Sequence, residues 1–220
     1  MTVVTARAGI KFDTDALATR DAQLRHRPAP KPAYATQLDP TLRNRGQKIY
    51  RASQLLGEPL IPWQLDAAKR ATQMNPEGSE LLWRYQLVII VVPRQAGKTS
   101  LLRSVLTDRA LHRPGSALFA TAQSGKYASN LWANLSEKIK NSPLKHYVKA
   151  KSGKGSEVLT FPGRSTLEPF PPTRDSLHSQ TPNVVLIDEG WSQTLDSAAA
   201  LMQAVRPAMI TRRDRQIWII

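Results

Sequence analysis

The sequence predicts an α/β fold in which helices flank a mostly parallel central sheet. Three observations predict it. Apolar runs at residues 85–92 (YQLVIIVV), 116–121 (SALFAT), 183–187 (NVVLI) and 216–220 (QIWII) have the composition of sheet strands, the first of a strand buried on both faces. The segments between them place apolar residues at helical spacing. Strand and helix alternate from about residue 81 onward, which implies right-handed crossovers and parallel strands.

Residues 1–57 read as an N-terminal arm and helical segment, partly extended. Within 25–40 the prolines Pro28, Pro30, Pro32 and Pro40 remove backbone donors and disfavour helix before them, so an extended or loosely docked arm is expected. Residues 41–56 have a helical pattern that Gly57 and Pro59 end. Residues 58–220 form the second unit. A helix should follow Pro62, with Trp63, Leu65, Ala67 and Ala68 on or near its packed side. The strand at 85–92 leads through PRQAGKT to a helix over 100–111, whose Leu101, Leu102, Val105, Leu106 and Leu111 share a face. A second amphipathic helix covers 128–140, and residues 148–161 carry SGKG between VKAK and EVLTF, which predicts a β-hairpin. A third helix covers 197–209. The chain stops inside QIWII with no polar turn after it, so residues 1–220 are expected to be a piece of a longer protein or an engineered domain.

Composition narrows the function. The chain has 220 residues, 31 Lys+Arg against 17 Asp+Glu, and a formal net charge of +14; 41% of its residues are hydrophobic, enough to bury a core. Such a charge favours a polyanionic partner, since basic groups displace counterions from phosphates. With no cysteine there is no disulfide framework, thiol nucleophile or cysteine-bound zinc. His26, His112, His146 and His178 show no metal-ligand spacing. No signal peptide or run of about 18 apolar residues is present, so a soluble protein without a membrane partner is expected.

The chemistry is carried first by Val92-Pro93-Arg94-Gln95-Ala96-Gly97-Lys98-Thr99, between strand and helix. A phosphate-binding loop needs backbone N–H groups at a helix N-terminus, a glycine where the chain passes phosphate, a lysine for the β/γ oxygens and a hydroxyl for Mg²⁺. Gly97, Lys98 and Thr99 supply the last three, and Gln95, Ala96 and Ser100 complete the cradle. The general G-x-x-x-x-G-K-[ST] motif has its first glycine where this chain has Val92. Arg94 is placed either to contact the γ-phosphate and stabilise charge in transfer or to meet the second carboxylate of the site. About 90 residues downstream of Lys98, NVVLIDEG (183–190) ends an apolar strand in two acids, the pattern of a Walker B segment. Asp188 would bind Mg²⁺ and Glu189 would polarise the attacking water. Before the first strand, Gln64 of PWQ has an amide able to donate and accept at an adenine edge.

Together PWQ, VPRQAGKT, ATAQSGKYASNLW (120–132) and HSQTPNVVLIDEGW (178–191) resemble the large terminase subunit of tailed bacteriophages, over most of residues 60–220. That family's Walker A variant also has an Arg before x-x-G-K-T and often lacks the first glycine. The resemblance implies a P-loop NTPase fold of the ASCE type, with an extra strand between the Walker strands, and an ATPase motor that drives double-stranded DNA into a procapsid in the host cytoplasm. It further implies a homo-oligomeric ring, portal protein and small terminase subunit as partners, and a C-terminal endonuclease domain outside these residues. A neighbouring subunit would supply an arginine finger, for which Arg164, Arg174, Arg206 and Arg212 are candidates by position. Two alternatives stay open: another nucleic-acid-dependent ATPase of helicase type, and a DNA-binding or assembly module that binds nucleotide without turnover.

Overall fold

The computed structural model describes residues 30–77, 80–153 and 155–220, together with the backbone of two short strands, β1 (Val3–Thr5) and β2 (Lys11–Asp13), which pair antiparallel. Of the expected arm, residues 25–29 lie outside the described residues, and residues 30–39 are extended or bent without regular structure. Helix α1 (Gly46–Leu55) starts later than the pattern suggests, because residue 43 is used in a bridge to residue 74. Helix α2 (Pro62–Ala71) opens with Pro62 at its first turn, as expected.

A seven-stranded sheet forms the centre. Its strands are β5 (Leu87–Ile89), β6 (Ala117–Thr121), β7 (Lys149–Lys151), β8 (Val158–Thr160), β9 (Thr166–Pro169), β10 (Val184–Ile187) and β11 (Gln216–Ile219). Their spatial order is β5-β11-β10-β6-β9-β8-β7. The first five are parallel; at the far edge β8 runs antiparallel to β9, and β7 antiparallel to β8. The helices of the crossovers are α3 (Lys98–His112), α4 (Gly125–Lys140) and α5 (Leu195–Ala208).

Strand β11 therefore sits inside the sheet, second from its β5 edge. β11 pairs with β5 on one side and β10 on the other, which puts one extra strand between the strand that precedes GKT and the strand that ends in Asp188. Alternation along a strand sends neighbouring residues to opposite faces, and the core divides accordingly. Val184, Leu186 and Trp218 point into a cluster with α1 to α4, including Ile49, Leu101, Leu106 and Leu135. Val185, Ile187 and Ile217 pack on the other face against Leu201, Val205 and Met209 of α5. Helix α1 shares the first cluster, and its N-cap Arg45 makes a two-pronged pair with Asp108 of α3, both contacts 2.7 Å. At the sheet's other end the buried Arg109 lies over the Trp83 ring, 4.4 Å from its centroid; burial pulls its pKa down to about 10 despite the nearby Asp214 and Asp108.

One expectation is corrected. The run at 85–92 is not buried on both faces: β5 is an edge strand with one neighbour, Leu87 and Ile89 are exposed, and Val91 is 91% exposed. Two elements lacked a sequence signal. The hairpin of β3 (Met74–Glu77) and β4 (Glu80–Trp83) contains Pro76, a residue that argues against strand, and β9 contains Pro169. The 148–161 hairpin appears as β7 and β8.

Trp218 is fully buried and donates to Gln216 Oε1 at 2.9 Å, while the Gln216 amide donates to the carbonyls of Ala71 and Tyr85. Trp218→Ala is expected to cost about 3–5 kcal/mol of unfolding free energy, measured by urea denaturation, because it opens a cavity in the core beside a strand paired on both sides.

Candidate active site

All parallel strands end at one rim, and α3 begins there. Gly97 is the N-cap of α3 with φ 89°, a left-handed conformation open to glycine at no steric cost. At the start of an α-helix the first N–H groups lack partners four residues back, which makes such an end suited to an anion. The turn after β10 delivers Glu189 to the same place. Gly190 permits this turn, since a Cβ there would lie 2.6 Å from Ile219 of β11. Its N–H donates to the Ile220 carbonyl at 3.0 Å.

The two halves of the site meet. Lys98 Nζ lies 3.3 Å from Glu189 Oε1, across 91 positions of sequence, with the lysine side chain mostly buried and the glutamate more open. Arg94, Gln95, Gly97, Lys98, Thr99, Glu189 and Trp191 line a cavity of about 390 Å³. Two of its lining residues, Gln95 (φ 61°) and Glu189 (φ 58°), hold left-handed backbone without being glycine, a strain that the surrounding fold must maintain.

Asp188 follows β10 directly and precedes Glu189, which lines the cavity. Its N–H donates to the Thr121 carbonyl, and its Oδ1 accepts from the Glu189 N–H at 2.9 Å. Burial raises the Asp188 pKa above the usual carboxylate value; the Glu189 charge adds to the rise, whereas the Glu189 N–H and Lys98 oppose it. Among the described residues no group of three acidic, histidine or cysteine side chains could hold a metal by itself. The donors that are present, the Thr99 hydroxyl and the Asp188 carboxylate, suit Mg²⁺, which typically binds through one or two protein oxygens, substrate phosphates and water.

The remaining sequence candidates are placed as follows. Ala96 lies in the loop, and Ser100 N–H donates to the Gly97 carbonyl within the first turn of α3. Arg94 is stacked on Trp191, its guanidinium carbon 5.2 Å from the ring centroid, so neither of its two expected contacts is the one made here. Trp191 was not anticipated; its only signal was an aromatic residue directly after the Asp-Glu-Gly turn. Gln64 departs from the adenine expectation. It is 3% exposed, does not line the cavity, and its amide accepts from the Ile61 N–H and donates to the Gly97 carbonyl. Of the four arginine-finger candidates, Arg174 follows β9 on the site's rim, whereas Arg164, Arg206 and Arg212 belong to segments at the opposite end of the strands.

The chain matches the HK97 bacteriophage large terminase over 80% of its own length and 38% of that chain, with a TM-score of 0.62 at 18% identity. It matches the large terminase ATPase domain of Thermus phage P74-26 over 80% of its length and 69% of that chain, with a TM-score of 0.58 at 16% identity. The fold is that of the terminase ATPase domain. No protein-family model and no curated protein matches the chain by sequence. The chain thus spans well under half of the HK97 terminase.

Asp188→Asn removes a charge that burial opposes and keeps an oxygen for the Glu189 N–H. The folded-state pKa of Asp188 is raised, so its ionised form costs stability, a cost relieved as pH falls through that raised value. Calorimetry of the ligand-free variant should show a Tm above wild type at neutral pH, with the gap closing toward acid pH.

Proposed function

We propose that the chain is the ATP-hydrolysing motor of a phage large terminase, driving double-stranded viral DNA into a procapsid. The observation that carries this reading is the meeting of Lys98 and Glu189 in one cavity lined by the phosphate loop. The backbone N–H groups of the loop and Lys98 hold the triphosphate of ATP. Thr99 and Asp188 would hold Mg²⁺, which when bound neutralises charge on the β- and γ-phosphates. Glu189 orients a water and takes its proton as the γ-phosphate departs; once phosphate occupies the cavity, Lys98 exchanges its contact with Glu189 for phosphate oxygens and leaves that carboxylate free to do so. Arg94, parked on Trp191, lies close enough to the cavity to supply a further positive charge.

Charge distribution supports DNA as the polyanion. Lys140, Lys145, His146, Lys149 and Lys151 are exposed along one edge, from the end of α4 through β7, and have no ion pair among the described residues. Such an edge holds phosphates without reading sequence. Residues 58–220 would form the motor domain of a longer chain with a nuclease domain, working as a homo-oligomeric ring on the portal protein with the small terminase subunit, in the host cytoplasm.

Glu189→Ala should bind ATP with near wild-type affinity and release phosphate at least ~100-fold more slowly; undiminished turnover would remove Glu189 from the reaction. For DNA, the slope of log affinity against log salt should fall by about 2 to 3 in a Lys145/Lys149/Lys151 triple alanine variant, roughly 0.9 for each lost phosphate contact. An unchanged slope would move the DNA to another face.

A further inference from the structure

We propose that Gln64 and Trp63 are positioning residues that aim the phosphate loop, a role that rests on the phosphate-site reading above and replaces base recognition by Gln64. Two consecutive residues in the first turn of α2 reach two consecutive carbonyls of the loop. Trp63 Nε1 donates to the Ala96 oxygen at 3.2 Å, and Gln64 Nε2 donates to the Gly97 oxygen at 2.7 Å. The other end of the Gln64 amide accepts from the Ile61 N–H at 2.8 Å, which locks the side chain to the start of its own helix.

The consequence follows from peptide geometry. In a planar trans peptide the C=O and the next N–H point in opposite directions, and no peptide of the described residues is cis. Holding the Ala96 and Gly97 oxygens toward α2 therefore turns the N–H groups of Gly97 and Lys98 the other way. A loop that binds an anion needs this arrangement, because a carbonyl turned toward phosphate repels it. Gly97 is fitted to the brace as well as to its left-handed backbone: a Cβ there would stand 2.7 Å from Gln64 Nε2. A glutamine that reads adenine must face the cavity, and Gln64 is buried beneath the loop with both ends of its amide engaged.

The test is calorimetric binding of ATP, GTP and inorganic tripolyphosphate to the 220-residue chain and its variants. Gln64→Ala should weaken all three by a similar factor, roughly five- to tenfold for a lost buried hydrogen bond. Gln64→Glu should weaken them further, since a carboxylate cannot donate to the Gly97 oxygen. Trp63→Phe keeps the six-membered ring and removes the indole N–H; it should lower affinity for all three polyphosphates while the chain stays folded by calorimetry, which a purely structural role would not produce. Loss of ATP binding with tripolyphosphate binding intact would overturn the brace in favour of base recognition. Unchanged affinities in every variant would overturn it too. Wild-type protein that binds none of the three ligands would overturn the phosphate site itself, and the brace with it.

Discussion

Two strands that never touch, β5 and β10, are held one strand apart by β11, and the site depends on that spacing. Adjacent strands lie about 4.8 Å apart, so the ends of β5 and β10 open about 10 Å from each other at the rim. A direct pairing would force the loop before Lys98 onto the turn that carries Glu189. With β11 between them, there is space for a cavity, and the length of the lysine side chain closes the gap to 3.3 Å. The spacer is rigid because it is buried: Trp218 is sealed on one face, Ile217 on the other, and Gln216 ties the strand's start to the end of α2 and to the residues before β5.

Around that opening the fold accepts local costs. Asp188 is kept where burial resists its charge and beside a second acid. Gln95 and Glu189 hold backbone conformations that residues with a Cβ enter reluctantly. These costs fall on residues at the cavity, while β10 behind them is buried along its whole length. A stiff support under a strained rim keeps the side chains at the cavity in place.

Much of this was legible in the sequence, for identifiable reasons. NVVLI and QIWII are legible as strands because they are short, apolar and rich in β-branched residues, and GKT and Asp-Glu-Gly are legible because each needs its residues at a fixed offset from a strand end. YQLVIIVV misled: an apolar run reads alike whether its second face is packed or open, and only the sheet order distinguishes the edge. Gln64 stands in a recognisable motif, yet its amide is bonded to Ile61 and Gly97 and does not line the cavity. Residue type shows that an amide can donate and accept; it does not show which way the amide faces. The stacking role of Trp191 is hidden because its partner Arg94 is 97 residues away, and β9 because Pro169 masks a strand whose pairing is set by β6.

The most direct test of the shared rim is a crystal structure of the chain with Mn²⁺ and a non-hydrolysable ATP analogue, with the metal located by anomalous scattering. The account predicts one anomalous peak between the Thr99 hydroxyl and the Asp188 carboxylate, and the terminal phosphate against Lys98. A nucleotide bound away from the 94–99 loop, or a metal remote from Asp188, would contradict it.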